Sequence, residues 1–278
     1  MRGAGVYAAG GSALAALCVE LIPVLTAEEL ERVIVVLVAT RNSLNIGAAA
    51  RAMSNFGFPH LRLVRPWDPS WQEARSAVGA AALLADAEVF ATVSEAVADC
   101  TLVLGTTAVT AGGRRDLQHP LDRLEESATL ARMHLAAAET RVAVLFGSEK
   151  TGLTNDDLSH CHRLLRIPTR EQHISMNLGQ AVAVCMYEFI RGVGEAQSAA
   201  AETPAQATPA QAGEVERLTQ MMMETLQESG YITQGAEAAA EEKLRRELRR
   251  MPLTHHDAQL ALGMVRQILW KIKNEDKS

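Results

Sequence analysis

Asn45, Gly47 and Arg51 stand in the pattern Asn-x-Gly-x-x-x-Arg just after the apolar run Val33 to Ala39. An amide can donate and accept, a glycine lets another backbone approach, and a guanidinium presents a fixed fork of donors. If the run is a strand, the three sit at its carboxyl end, where open α/β sheets bind ligands. The same layout recurs along the chain. Gly147-Ser-Glu149-Lys-Thr-Gly152 follows the apolar Val142 to Phe146, and Gly105-Thr106-Thr107-Ala108 closes Thr101 to Leu104. A polar stretch from Thr169 through Ser175 to Asn177 follows Arg163 to Pro168. Four such loops suit a nucleotide-like ligand. None has the Gly-x-Gly-x-x-Gly spacing of a dinucleotide site, and no loop carries Gly-Lys-Ser/Thr, so a nicotinamide oxidoreductase and a phosphate-loop enzyme are both disfavoured.

The elements that must position these loops follow from periodicity. Val33 to Ala39 is β-branched-rich and does not alternate with polar residues, as expected of a strand covered on both faces. Leu61 to Pro66, Thr101 to Ala108, Val142 to Phe146 and Arg163 to Pro168 read as further strands. The stretch 40–57 reads as a loop followed by a helix, and further helices are expected at 70–85, at 93–99, from Leu121 to Ala138 and from Asn177 to Arg191. Alternation of strands and helices predicts an α/β fold with a mostly parallel sheet and helices on both faces. Residues 1–30 read as an N-terminal extension, 31–193 as the sheet domain, 194–213 as a Pro/Ala/Gln-rich linker and 214–278 as a small helical domain. In that last part Val215, Leu218, Met222 and Leu226 mark one helix, and Lys243 to Arg250 a second, strongly basic one. Thr254 with Asp257 caps a third, whose apolar positions are Leu260, Met264 and Ile268.

Composition sets the limits. Apolar residues make up 48% of the chain and aromatics 4%, so the core is expected to be aliphatic. The net charge of −6 excludes wholesale coating of nucleic acid while leaving room for a local basic patch. Cys18, Cys100, Cys161 and Cys185 form no Cys-x-x-Cys pair, which argues against a zinc site or disulfide framework and for the reducing cytoplasm. His160-Cys161-His162 is too short a segment to complete a metal shell. No run reaches the ~18 apolar residues of a membrane span.

Taken in order, Asn45-x-Gly47-x-x-x-Arg51, Leu145-Phe-Gly147-x-Glu149-x-x-Gly152-Leu, and Ile167-Pro168 leading to Ser175-x-Asn177-x-x-x-Ala181 resemble the three motifs of the SPOUT (SpoU/TrmH-like) RNA ribose 2′-O-methyltransferases. The resemblance covers about residues 31 to 193. It implies a sheet whose carboxyl-terminal part is threaded into a trefoil knot, a homodimer, S-adenosylmethionine as cofactor, and no metal or membrane. The tail with its Lys-Leu-Arg-Arg run is similar to family members that modify the tRNA anticodon loop, with ribosomal RNA as the alternative substrate.

Carried over by motif, the resemblance implies that Thr106, Thr107, Ala108, Gly147, Ile167, Ser175, Met176 and Asn177 line the cofactor pocket. Asn45, Arg51 and Glu149 would face the substrate, with Ser175 and Asn177 serving both. A guanidinium with a pKa above ~12 is a poor base, so Arg51 is expected to steady the developing alkoxide or the adjacent phosphate. RNA contacts are expected from Arg114 and Arg115 and, in the tail, from Lys243, Arg245, Arg246, Arg249 and Arg250. Ala181 to Met186 is expected to form an apolar dimer face.

Overall fold

The computed structural model describes residues 25–108, 119–170, 172, 174–191, 208–233 and 235–275. Most of the N-terminal extension, the Arg114–Arg115 loop and residues 194–207 of the expected linker lie outside the described residues. The strands are β1 (Val33–Val38), β2 (His60–Val64), β3 (Glu88–Phe90), β4 (Leu102–Thr106), β5 (Leu121–Arg123), β6 (Val142–Phe146) and β7 (Arg163–Arg166). They form one sheet in the order β3-β2-β1-β6-β4-β7-β5, every pairing parallel.

The helices are α1 (Ala27–Leu30), α2 (Ser43–Phe56), α3 (Ala81–Ala85), α4 (Val93–Ala96), α5 (Leu124–Leu135), α6 (Asn155–Ser159), α7 (Leu178–Ile190), α8 (Ala212–Glu228), α9 (Glu237–Arg250) and α10 (His255–Glu275). β1 shows why its sequence does not alternate. Val33, Val35 and Leu37 point into a core shared with α2, α5 and α7, while Ile34, Val36 and Val38 point into a second core with α4, α6 and the start of α8. Each such side chain, fully buried, contributes about 1.5–3 kcal/mol.

Four local expectations need correction. The 70–85 segment is no single helix: a 3₁₀ turn at Pro69–Glu73 and the short α3 flank Gly79, whose φ of 78° breaks any continuous helix. Leu121 to Arg123 is not helical but pairs with β7 as the edge strand, and α5 starts only at Leu124. In α10, Leu260, Met264 and Ile268 face outward, each more than half exposed, and Ala258 and Leu262 make the inner contact. Val182, Cys185 and Met186 are covered by the chain's own core, so they cannot supply the apolar face expected there.

The tail packs on its own sheet. The Ala212 and Gly213 N–H groups donate to the carbonyls of Cys100 at 2.7 Å and Ala98 at 2.8 Å, and α9 lies against α6. This contact absorbs much of the basic run. Arg245 is buried, donating to Glu216, to Ser159 at 3.1 Å, to Asp156 at 3.4 Å and to Glu241. Arg249 is buried 3.7 Å from Glu216, its pKa lowered to about 10 by burial against the pull of that carboxylate. Neither side chain can reach RNA phosphates in this arrangement. Lys243 and Arg250 stay exposed, the latter 3.3 Å from Glu247, and Arg246 is half-buried beside His119.

Glu216 is therefore the counter-charge for two buried guanidiniums. Glu216→Ala is expected to cost roughly 3–5 kcal/mol, read as a fall in the urea midpoint, because it strands positive charge out of water. His160, also buried here, has its pKa pushed down to about 3 by burial and then by Arg245 and Arg249. The unfolded chain takes up that proton near pH ~6.5 while the folded one does not, so stability falls as pH drops below that value, by up to about 1.4 kcal/mol per pH unit. Melting curves between pH 7.5 and 5 check this; a flat midpoint would contradict it.

Candidate active site

Three loops meet at the carboxyl ends of β1, β6 and β7. α2 is capped by Asn42, whose side chain accepts the Leu44 N–H at 2.9 Å, which sets Asn45 in the first turn. Gly47 one turn on is packed by the 74–77 segment: a Cβ there would lie 2.3 Å from Ser76 Oγ and 3.0 Å from the Ala77 nitrogen. Across from it, α7 begins at its cap Asn177, whose side chain accepts the Gly179 N–H at 3.0 Å. Asn177, rather than Ser175, holds that end of the helix. A Cβ on Gly179 would approach Ala48 Cβ to 2.7 Å, so α2 and α7 touch almost backbone to backbone.

This contact joins the motifs through side chains. Asn177 Nδ2 donates to Asn45 Oδ1 at 3.1 Å, and Asn45 Nδ2 donates to Glu149 Oε1 at 2.7 Å. Glu149 Oε2 accepts the Arg41 N–H at 3.1 Å. Partial burial works against the Glu149 charge, yet the Asn45 amide and backbone N–H groups of the 41–42 loop outweigh it and hold the carboxyl below its usual range. Glu149 takes no part in capping α6, which has its own reciprocal cap of Thr154 with Asp157. Arg51 sits a turn beyond Gly47 on α2, exposed, with no hydrogen bond or ion pair to a described residue.

Beside this polar chain opens a cavity of about 460 Å³. Thr106, Thr107, Ala108, Gly147, Ile167, Ser175 and Met176 line it, whereas Asn177 is exposed, stands outside the lining and belongs to the amide chain. Phe146, Leu165 and Ile174 add apolar surface, and Lys150 adds a cation at the wall. Sequence reasoning passed over Lys150 and the Arg41–Asn42 backbone, although both adjoin its motifs. Among the described residues, none from the tail lines the cavity. Among the described residues no group of three His, Cys, Asp or Glu side chains could hold a metal, and no helix is long and apolar enough to cross a membrane.

The sequence model of the SpoU rRNA Methylase family matches residues 32–187, a span that holds all three motif loops. The chain belongs to that family. The SpoU relatives also match beyond the sheet. The tRNA (cytidine/uridine-2′-O-)-methyltransferase TrmJ of Yersinia pestis (strain Pestoides F) is 34% identical over 251 residues, 89% of this chain and 94% of its own. The TrmJ of Salmonella typhimurium is 32% identical over 89% of this chain and 99% of its own. The crystal structure of TrmJ from Z. mobilis ZM4 superposes with a TM-score of 0.73 at 30% identity, covering 84% of this chain and 98% of that one.

Within the SpoU frame, Gly147 has the least room. A Cβ there would sit 2.1 Å from the Gly152 carbonyl carbon and the Leu153 nitrogen, whereas at Gly152 it would meet nothing within 4 Å. Gly147→Ala must displace backbone and is expected to cost more than Gly152→Ala, where the penalty is only the φ of 68° and about 1–2 kcal/mol. Urea unfolding of the two variants gives the order; the reverse order would show that the cavity loop is not fixed by this contact.

Proposed function

We propose that this chain is an S-adenosylmethionine-dependent methyltransferase acting on a ribose 2′-hydroxyl of tRNA, in the anticodon loop. The observation that carries it is the meeting of three ordered SpoU motifs at one strand-end edge, where a hydrogen-bonded Asn177–Asn45–Glu149 chain borders the cavity. The cavity fits an adenosine-bearing donor. Its volume lies within the usual range for small-molecule sites, Leu165, Ile167 and Met176 offer apolar surface to a purine, and the small residues 106–108 and 147 let a ligand come close to the main chain. Bound there, S-adenosylmethionine supplies an electrophilic methyl group on a sulfonium.

The chain's own residues orient the acceptor. Both Glu149 oxygens are engaged and its pKa is lowered, so it is a poor proton acceptor and acts by holding Asn45 and the 41–42 loop. Arg51, which has no partner among the described residues, takes the ribose oxygen as negative charge develops, or the phosphate next to it. Ser175 stands in the cavity wall, between donor and ribose in this reading. A site of this kind gains several kcal/mol simply by holding the reacting atoms at ~3–3.5 Å.

Ribosomal RNA is the second reading, favoured by the family's description. The match to TrmJ proteins over nearly the whole chain, tail included, supports tRNA. In this reading residues 31–193 catalyse and 214–278 help hold tRNA through Lys243, Arg246 and Arg250, joined by Arg114 and Arg115, in a cytoplasmic homodimer. The dimer contact then has exposed apolar residues of α5 and α7 available, Met133 and Tyr187. The trefoil threading finds support in the path after β7, a strand set between β4 and β5, from which the chain returns to Asn45 through Asn177.

Transfer of labelled methyl from S-adenosylmethionine to tRNA, with ribosomal RNA in parallel, tests the proposal. Arg51→Ala should reduce turnover by on the order of 10²–10³-fold while calorimetry shows cofactor affinity nearly unchanged. Arg51→Lys should fail as well, because an ammonium lacks the planar fork. Absence of transfer to tRNA by the unaltered protein would overturn the reading.

A further inference from the structure

On its far side, the Glu149 carboxylate holds the peptide of Arg41, and this residue belongs to a feature with no part in binding a methyl donor. The Arg41 guanidinium carbon lies 4.9 Å from the centre of the Trp67 ring. Trp67 is 67% exposed, while Trp71 four residues on is 5% exposed in the core. A single exposed apolar side chain needs no explanation. The way this one is held does.

Ala39 and Arg65 adopt φ values of 51° and 50°, a region that L-residues avoid, at the carboxyl ends of the neighbouring strands β1 and β2. Both departures are pinned: the Ala39 N–H donates to Val64 O at 2.8 Å, and the Arg65 N–H to Phe90 O at 3.3 Å. Each turns its chain out of the sheet, and the two exits are tied together by the Trp67 N–H donating to Thr40 O at 3.1 Å. Asp68 then accepts from Ser70 N–H at 2.9 Å and from Ser43, which fastens the same segment to the start of α2. An indole and a guanidinium are thus brought face to face on an over-determined backbone, one hydrogen bond away from the polar chain of the active site.

We propose that Arg41 and Trp67 form a stacking platform for an unpaired nucleobase of the RNA, beside the nucleotide whose ribose is methylated. The inference rests on the function proposed above. Single-stranded RNA loops are recognised by splaying bases onto aromatic rings and guanidinium planes, and a base held this way is read by its π-face more than by its edges. The platform therefore selects an open loop over helical RNA with little preference for base identity. Arg41 also keeps a charge available to the adjoining phosphate. Because Glu149 grips the Arg41 peptide and the Asn45 amide together, a base on the platform fixes the strand relative to Asn45.

Steady-state methylation of tRNA by Trp67→Ala, Trp67→Phe and Arg41→Ala, with calorimetry for S-adenosylmethionine, tests this. Trp67→Ala should raise KM for tRNA by roughly 5- to 100-fold, Trp67→Phe should recover most of that loss, and cofactor affinity should hold. An unchanged KM in Trp67→Ala, or a phenylalanine variant as impaired as the alanine one, overturns the platform. A second measurement does not need turnover. Oligouridylate should quench the tryptophan emission of the unaltered protein more than an abasic chain of equal length does, and the difference should vanish in Trp67→Phe. If tRNA is not methylated but this difference persists, the substrate assignment falls and the platform stands; equal quenching in both proteins overturns the platform.

Discussion

A carboxylate can only accept hydrogen bonds, and a helix N-terminus can only donate them. The Asn177–Asn45–Glu149 chain of the candidate site is strung between these two ends. The Gly179 N–H donates to Asn177 Oδ1, so the Asn177 amide must turn its Nδ2 toward Asn45, and Asn45 must present Oδ1 to it and Nδ2 to Glu149. Neither asparagine could be flipped without setting like groups against each other. Three segments far apart in sequence, from α2, the β6 loop and the start of α7, are thereby locked in one relative arrangement. Glu149 and Asn177 are exposed, so water can replace a lost partner, and removing one member forfeits about the net 0.5–1.5 kcal/mol of each bond together with the fixed arrangement of the three segments. The close α2–α7 contact at Ala48 and Gly179 is what brings the ends within reach.

Glu216 does for the tail what Glu149 does for the site. It is buried, lies on α8, and faces Arg245 and Arg249 from α9 as well as His160 at the end of α6. The basic run on α9 is thus divided by helical geometry: the residues four apart, Arg245 and Arg249, turn inward, while Lys243 and Arg250 turn outward. The buried side chains attach the helices to the sheet. Within α9, Lys243 and Arg250 are open to phosphates and Arg246 partly so, while Arg245 and Arg249 are not.

Much of the fold could be read from the sequence because its strands are covered on both faces and carry unbroken apolar runs; β1, β4 and β6 are of this kind. The elements missed were those whose character is decided by neighbours. Leu121 to Arg123 becomes a strand because β7 offers an edge, which no helical spacing in 121–138 could reveal. Leu260, Met264 and Ile268 have the same spacing as the inner Ala258 and Leu262, and only the α8 surface selects between the two faces. The loops that border the cavity were legible because small residues after buried strands stay at the strand ends wherever the sheet goes, whereas the individual lining residues came from the resemblance of the motifs. The burial of Arg245 was not, since its partner lies 29 residues earlier and nothing local marks Glu216 as buried.

The chain's overall charge of −6 does not govern what reaches the site. Fields between exposed groups decay over about 8 Å at physiological salt, so an approaching RNA senses the charges near the cavity mouth. Arg41 and Arg51 come from the β1 loop and the helix after it, Lys150 from the β6 loop, and Arg170 from the segment after β7; all four are exposed. Glu149 lies among these loops, and its two oxygens already face fixed donors, which moderates its repulsion toward a phosphate. The acidic surplus lies elsewhere, in part on α8 and α9, where glutamates pair with the inward arginines. Parallel strand ends, with loops free to carry charge, are what allow a net acidic protein to carry exposed cations on the loops that follow β1, β6 and β7.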